Sequence, residues 1–96
     1  MALSGKQRRT LRALGHHLQP VVQVGHAGLS EALLAALEQA LHDHELVKVR
    51  VSENAPAPRV EVAAQLASST ASEVAQVLGR TVLLYRARAE KPKIVL

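Results

Sequence analysis

Apolar positions recur along this chain with two periods, one near 3.6 and one of 2, and each switch between them marks a new element. Ser4 with Gln7 three residues later reads as a capping box, and the spacing predicts a helix from about Gly5 to His16. Leu11, Leu14 and Leu18 then form its apolar stripe, while Lys6, Arg8, Arg9, Arg12 and His16 fall on the other side. Gln19 and Pro20 break that pattern, and the β-branched run Val21 to Val24 predicts a strand ending at Gly25. After Gly28, Ser30 is the expected N-cap of a second helix, with Glu31 at its positive end and Leu29 placed to staple onto Leu34. Leu33, Leu34, Leu37, Ala40 and Leu41 give it a buried stripe, and Glu31, Glu38 and Glu45 are expected on the wet side.

Leu46 to Val51 alternates strictly, with Val47, Val49 and Val51 on one face and Lys48 and Arg50 on the other, which predicts a half-buried strand. The breaker-rich stretch from Ser52 leads to Pro58, where a third helix is expected to begin and run to about Ser68. Its expected buried residues are Val60, Ala63, Ala64 and Ala67, with Leu66 as a further candidate. Glu73 to Leu78 and Thr81 to Arg86 follow as strands joined by Gly79 and Arg80, a two-residue hairpin turn. Residues 87–96 are expected to be an extended or flexible tail. The predicted fold is therefore α/β, a single mixed four-stranded sheet with three helices in the order α-β-α-β-α-β-β, within one domain spanning residues 1–96.

Composition narrows the function. Twelve Lys and Arg oppose eight Asp and Glu, and the surplus lies at the two ends of the chain. Residues 31–45 carry Glu31, Glu38, Asp43 and Glu45 and no Lys or Arg. Such asymmetry makes one side electropositive, which suits a polyanion, although a merely solvated surface has the same look. A basic amphipathic helix could also lie on a membrane, but the first helix lacks the bulky apolar face this requires, and no membrane partner is expected. With no Cys there is neither a disulfide framework nor a thiolate metal site. The absence of a secretory-type apolar stretch points to a soluble, cytoplasmic protein.

No small-molecule substrate, metal or cofactor is expected. His42 and His44 point about 200° apart on a helix, a poor ligand geometry, and nothing pairs a nucleophile with a base and an orienting carboxylate. The segment Gly25-His26-Ala27-Gly28 carries more meaning, since it lies between a strand and the N-terminus of a helix. Glycines there let a sugar-phosphate backbone approach main-chain N–H groups, although two glycines three apart also make an ordinary turn. A dinucleotide fingerprint would need a third glycine, and a P-loop would need Lys where Leu29 stands. Tyr85 is the only aromatic residue among Phe, Trp and Tyr, and its place in a strand suggests packing. Base stacking on aromatic platforms is therefore not the expected mode.

Four blocks in order resemble the CRM domain along nearly the whole chain. They are Leu3-Ser4-Gly5-Lys6-Gln7-Arg8; Pro20-Val21-Val22-Gln23-Val24 running on through Gly25-His26-Ala27-Gly28-Leu29; His44-Glu45-Leu46-Val47-Lys48-Val49; and Gln76-Val77-Leu78-Gly79-Arg80 with Leu84-Tyr85-Arg86. The chain is most similar to the YhbY-like single-domain members. The resemblance implies a fold similar to the C-terminal domain of translation initiation factor 3, and RNA binding through the GXXG loop Gly25, His26, Ala27 and Gly28. For bacterial stand-alone members it implies a role in large ribosomal subunit assembly, with ribosomal RNA of the precursor, and ribosomal proteins, as partners. Family loops often carry Lys between the glycines, where this chain has His26 and Ala27. The expected phosphate contacts therefore fall on the first helix: Lys6, Arg9 and Arg12, with Arg8 close behind, and Lys48 and Arg50 extending the patch if the sheet face is open. The competing reading is a protein-docking module on ribosomal precursors, using the acidic face of the second helix or the open sheet.

Overall fold

The computed structural model describes residues 3–96. Its elements are α1 (Gly5–Gly15), β1 (Pro20–Val24), α2 (Glu31–His44), β2 (Leu46–Val51), α3 (Arg59–Thr70), β3 (Glu73–Leu78) and β4 (Thr81–Tyr85). The strands form one sheet in the order β1-β2-β4-β3. β1 and β2 are parallel, joined by α2, whereas β4 is antiparallel to both β2 and β3. β2 and β3 thus run in the same direction across the α3 connection, with β4 filling the gap between them. The α/β class, the element order and the mixed four-stranded sheet are as the sequence pattern predicts.

Strand periodicity divides the apolar residues between two cores. Val47, Val49 and Val51 of β2, with Val82 and Leu84 of β4, face α2 and α3 and meet Leu37, Leu41, Val62 and Leu66. The opposite face receives Leu46, Leu83 and Tyr85, which pack with Leu3, Leu11 and Ala75. A bulge between Val74 and Gln76 keeps both requirements on β3, since Val74 and Val77 meet the first core while Ala75 joins the second.

The predicted caps form. Ser4 Oγ accepts from Gln7 N–H at 3.1 Å while Gln7 Oε1 accepts from Ser4 N–H at 2.9 Å, and Ser30 Oγ accepts from Leu33 N–H at 3.1 Å. In the hairpin, Gly79 alone of the two turn residues has a positive φ, +56°, the pattern of a turn with its left-handed residue first.

Three packing expectations are corrected. In α1, Leu11 is buried but Leu14 and Leu18 are exposed, because the helix rests on the sheet through Leu11 and Gly15. A Cβ on Gly15 would lie 2.7 Å from a Leu83 methyl, so glycine there sets how closely α1 approaches. In α3, Val60 is 66% exposed and Ala64 is also exposed, while the buried stripe is Val62, Ala63, Leu66 and Thr70. An alanine-rich helix offers little contrast between faces, and the spacing of Val62 and Leu66 decides the orientation.

Glu45 is the third correction. The helix ends at His44, and Glu45 caps it with φ +64° and no exposed surface. Its carboxylate accepts the backbone N–H groups of Arg88, Lys93 and Ile94. Residues 87–96 form neither helix nor strand, yet this carboxylate ties them to the body of the protein.

Candidate nucleic-acid interface

The Gly25–Gly28 loop rises from the end of edge strand β1 and closes as a turn, with Gly28 N–H donating to Gly25 C=O at 3.0 Å. Ser52 N–H donates to Val24 C=O at 2.9 Å, so the loop stands beside the end of β2. His26 and Ala27 are exposed at its tip, and neither of their N–H groups bonds another described residue. Gly28 is buried, has φ +69°, and would place a Cβ 3.2 Å from Pro56 Cγ. The fold itself requires glycine there. At Gly25 a Cβ would meet nothing within 4 Å, so packing gives no reason for glycine, and its consequence is bare backbone at the surface. Part of the α2 N-terminus is already used, because Ser30 takes the Leu33 N–H and the Glu31 carboxylate occupies the first turn.

Lys6, Arg8, Arg9 and Arg12 are all exposed on α1, and none forms an ion pair or side-chain hydrogen bond with another described residue. α1 packs chiefly on β3, β2 and β4, whereas the loop rises from β1. What lies between them is the α1 face of β2. Arg12 and Lys48 line one cleft, and Arg50 lines another with Gln23 and Ser52 near the loop end of the sheet. The sheet face is open at these strands, as the extension through Lys48 and Arg50 requires.

Three arginines elsewhere are partnered. The Arg86 guanidinium holds Glu38 at 2.8 Å and donates to the Thr70 carbonyl at 2.9 Å. That of Arg88 donates to the carbonyls of His42 at 2.8 Å and Asp43 at 2.6 Å, capping the end of α2. Arg80 pairs with Glu53 at 2.6 Å, but both are exposed, so water and salt weaken that pair. Arg80 at the hairpin turn is a member of this surface that sequence reasoning placed only as a turn residue. Its signal was the pairing of Arg50 with Thr81, which sets the turn beside the end of β2.

Tyr85 is 4% exposed and packs in the second core. That burial makes it a packing residue with no face free for stacking, and burial, then the Glu45 carboxylate, push its phenol above the ordinary value. Burial alone would raise the Glu45 carboxyl as well. The N–H groups of Arg88, Ile94 and Lys93, with the Arg88 charge, outweigh that and hold it below its ordinary value. Among the described residues no three His, Asp or Glu side chains gather as a metal site, and no helix is long and apolar enough to cross a membrane.

Comparison with known proteins gives the family. The model for the CRS1/YhbY (CRM) domain matches residues 3–86. The chain is 37% identical over 94 residues to Probable RNA-binding protein YqeI of Bacillus subtilis, covering 98% of each. It is 40% identical over 86 residues to a probable RNA-binding protein of Pseudomonas aeruginosa, covering 90% of this chain and 83% of that one. The solution structure of the hypothetical protein SAV1595 from Staphylococcus aureus superposes with a TM-score of 0.84 at 37% identity, covering 98% of each chain. A domain match over residues 3–86 and relatives similar along nearly their full length show that the chain belongs to the CRS1/YhbY (CRM) domain family.

Proposed function

We propose that this protein binds structured ribosomal RNA of the large-subunit precursor and acts in large-subunit assembly in the cytoplasm. The Gly25-His26-Ala27-Gly28 loop receives the sugar-phosphate backbone, and Lys6, Arg8, Arg9 and Arg12 neutralise neighbouring phosphates. The observation that carries this reading is the sorting of charge: the α1 cations are exposed and unpartnered, while Arg86 and Arg88 are consumed inside the fold. Unpartnered cations release counterions when they meet phosphate, and the bare N–H groups of His26 and Ala27 add donors at the loop tip. With Tyr85 buried, recognition runs through backbone and shape in place of aromatic stacking. The names of the relatives, which call them RNA-binding, support the same ligand class.

The test compares binding to large-subunit ribosomal RNA fragments and to matched DNA duplex at two salt concentrations, using wild type and the double variant His26→Asp, Ala27→Asp. RNA binding is expected to weaken steeply with salt, to exceed DNA binding, and to fall at least about tenfold in the folded variant. Equal binding by wild type and variant would remove the loop from the site. Absence of RNA binding in both would bring the protein-docking reading forward.

A further inference from the structure

Beside α1, on the sheet face that α1 only partly covers, lies a cleft of about 330 Å³ lined by Arg12, His16, Lys48, Gln76, Leu78 and Leu83. No Asp or Glu lines it. The side chains of Arg12, Lys48 and Gln76 make no hydrogen bond or ion pair with another described residue, so two cations and an amide face the cleft unused. Leu78 is 64% exposed at the end of β3, an apolar surface for which the two cores provide no partner. The cleft therefore joins what a phosphate needs, what a base edge needs and what a base face needs. Along β2, Lys48 is three residues from Val51, about 10 Å from the strand end beside the Gly25–Gly28 loop.

We infer that this cleft takes one unpaired nucleotide of the bound RNA, its phosphate between Arg12, His16 and Lys48, its base edge on Gln76 and its face against Leu78. This rests on the RNA-binding reading above and adds to it: the preferred substrate is a duplex carrying an extruded nucleotide near the segment held by the loop. Apolar as well as aromatic side chains hold extruded bases, and a bulged nucleotide is already unpaired, so less is lost in drawing it out. A regular A-form helix presents no free base to such a cleft.

The experiment measures binding of wild type, Leu78→Asp and Gln76→Ala to two RNA hairpins that differ by a single bulged nucleotide, with adenosine monophosphate as a separate probe. Leu78 is exposed, so its substitution leaves the fold intact, as circular dichroism will confirm. Wild type is expected to prefer the bulged hairpin by about tenfold, and Leu78→Asp to erase that preference, its new carboxylate beside Arg12 and Lys48 weakening both hairpins. Gln76→Ala is expected to reduce the preference to about threefold. Equal, salt-sensitive binding of both hairpins by wild type overturns the cleft and leaves the loop reading standing. Preference that persists in Leu78→Asp also overturns it. Adenosine monophosphate that fills the cleft as tightly as the bulge preference implies would make it a free-nucleotide site. Failure of both hairpins to bind removes the RNA reading itself.

Discussion

The two ends of β2 treat charge in opposite ways. At its start, Glu45 is buried, Arg88 caps α2 and Arg86 bridges Glu38 and Thr70, so these three charges have partners within the fold. Toward its end, Lys48 and Arg50 point to an open face between α1 and the Gly25–Gly28 loop, and neither has an ionic partner among the described residues. Both regions are rich in Arg and Lys, so composition alone does not separate them. Partnered charge orients a chain segment and is insensitive to ligand; unpartnered charge adds little to folding and is available to a polyanion.

The largest expected effect comes from the closed end. Glu45→Ala leaves three N–H groups without their carboxylate and is expected to cost about 2 to 3 kcal/mol in chemical denaturation, the freed tail recovering part of the loss in water. Amide exchange at Arg88, Lys93 and Ile94 should accelerate in that variant, and RNA affinity should stay as it is. If the tail amides stay protected, the anchor lies elsewhere. The pH dependence follows from the same group. Its carboxyl lies lower in the folded protein than the ordinary 4.5, so its contribution is fully present above that value and is lost as pH falls through the folded value. Denaturation midpoints of wild type should drop below about pH 4.5 more steeply than those of Glu45→Gln.

Much of this contrast was legible in the sequence, and the part that was not has a physical cause. The strict alternation of Val47, Lys48, Val49 and Arg50 fixed both the strand and the side each charge would take. Ser4 and Gln7 announced α1 through local bonds alone. Glu45 was misread because helical spacing from Glu31 and Glu38 placed it on a wet face, whereas the helix stops one residue earlier. Its partners are more than 40 residues away in sequence, and no local pattern reports them. Gly15 was missed for the same reason, since the leucine stripe implied burial of Leu14 and Leu18 and only contact with Leu83 shows which side of α1 lies down. The loop was visible as a motif, but the difference between its glycines requires Pro56, which closes on Gly28 from another loop.

That difference gives a smaller test at the open end. Gly28→Ala forces a left-handed backbone on alanine beside Pro56 and is expected to cost about 1 to 2 kcal/mol of stability. Gly25→Ala meets nothing and should change stability by less than about 0.5 kcal/mol, yet weaken RNA binding by covering bare backbone. Thermal unfolding and RNA titration on both variants separate the two roles. If Gly25→Ala binds RNA as wild type does, close approach at that glycine is not part of recognition.

Single arginines carry small stability effects, and there the contrast between the two regions becomes sharpest. Arg86→Ala removes bonds to Glu38 and the Thr70 carbonyl and should cost about 1 kcal/mol while leaving the salt dependence of RNA binding unchanged. Arg9→Ala removes a charge that holds nothing in the fold, so its stability should stay within about 0.5 kcal/mol of wild type. Its effect should appear in the logarithmic plot of RNA affinity against salt, where the slope falls by about 1 if Arg9 meets a phosphate. An Arg86 variant that flattens the slope, or an Arg9 variant that unfolds early, would show that charge in this domain is not divided between folding and binding as its partners indicate.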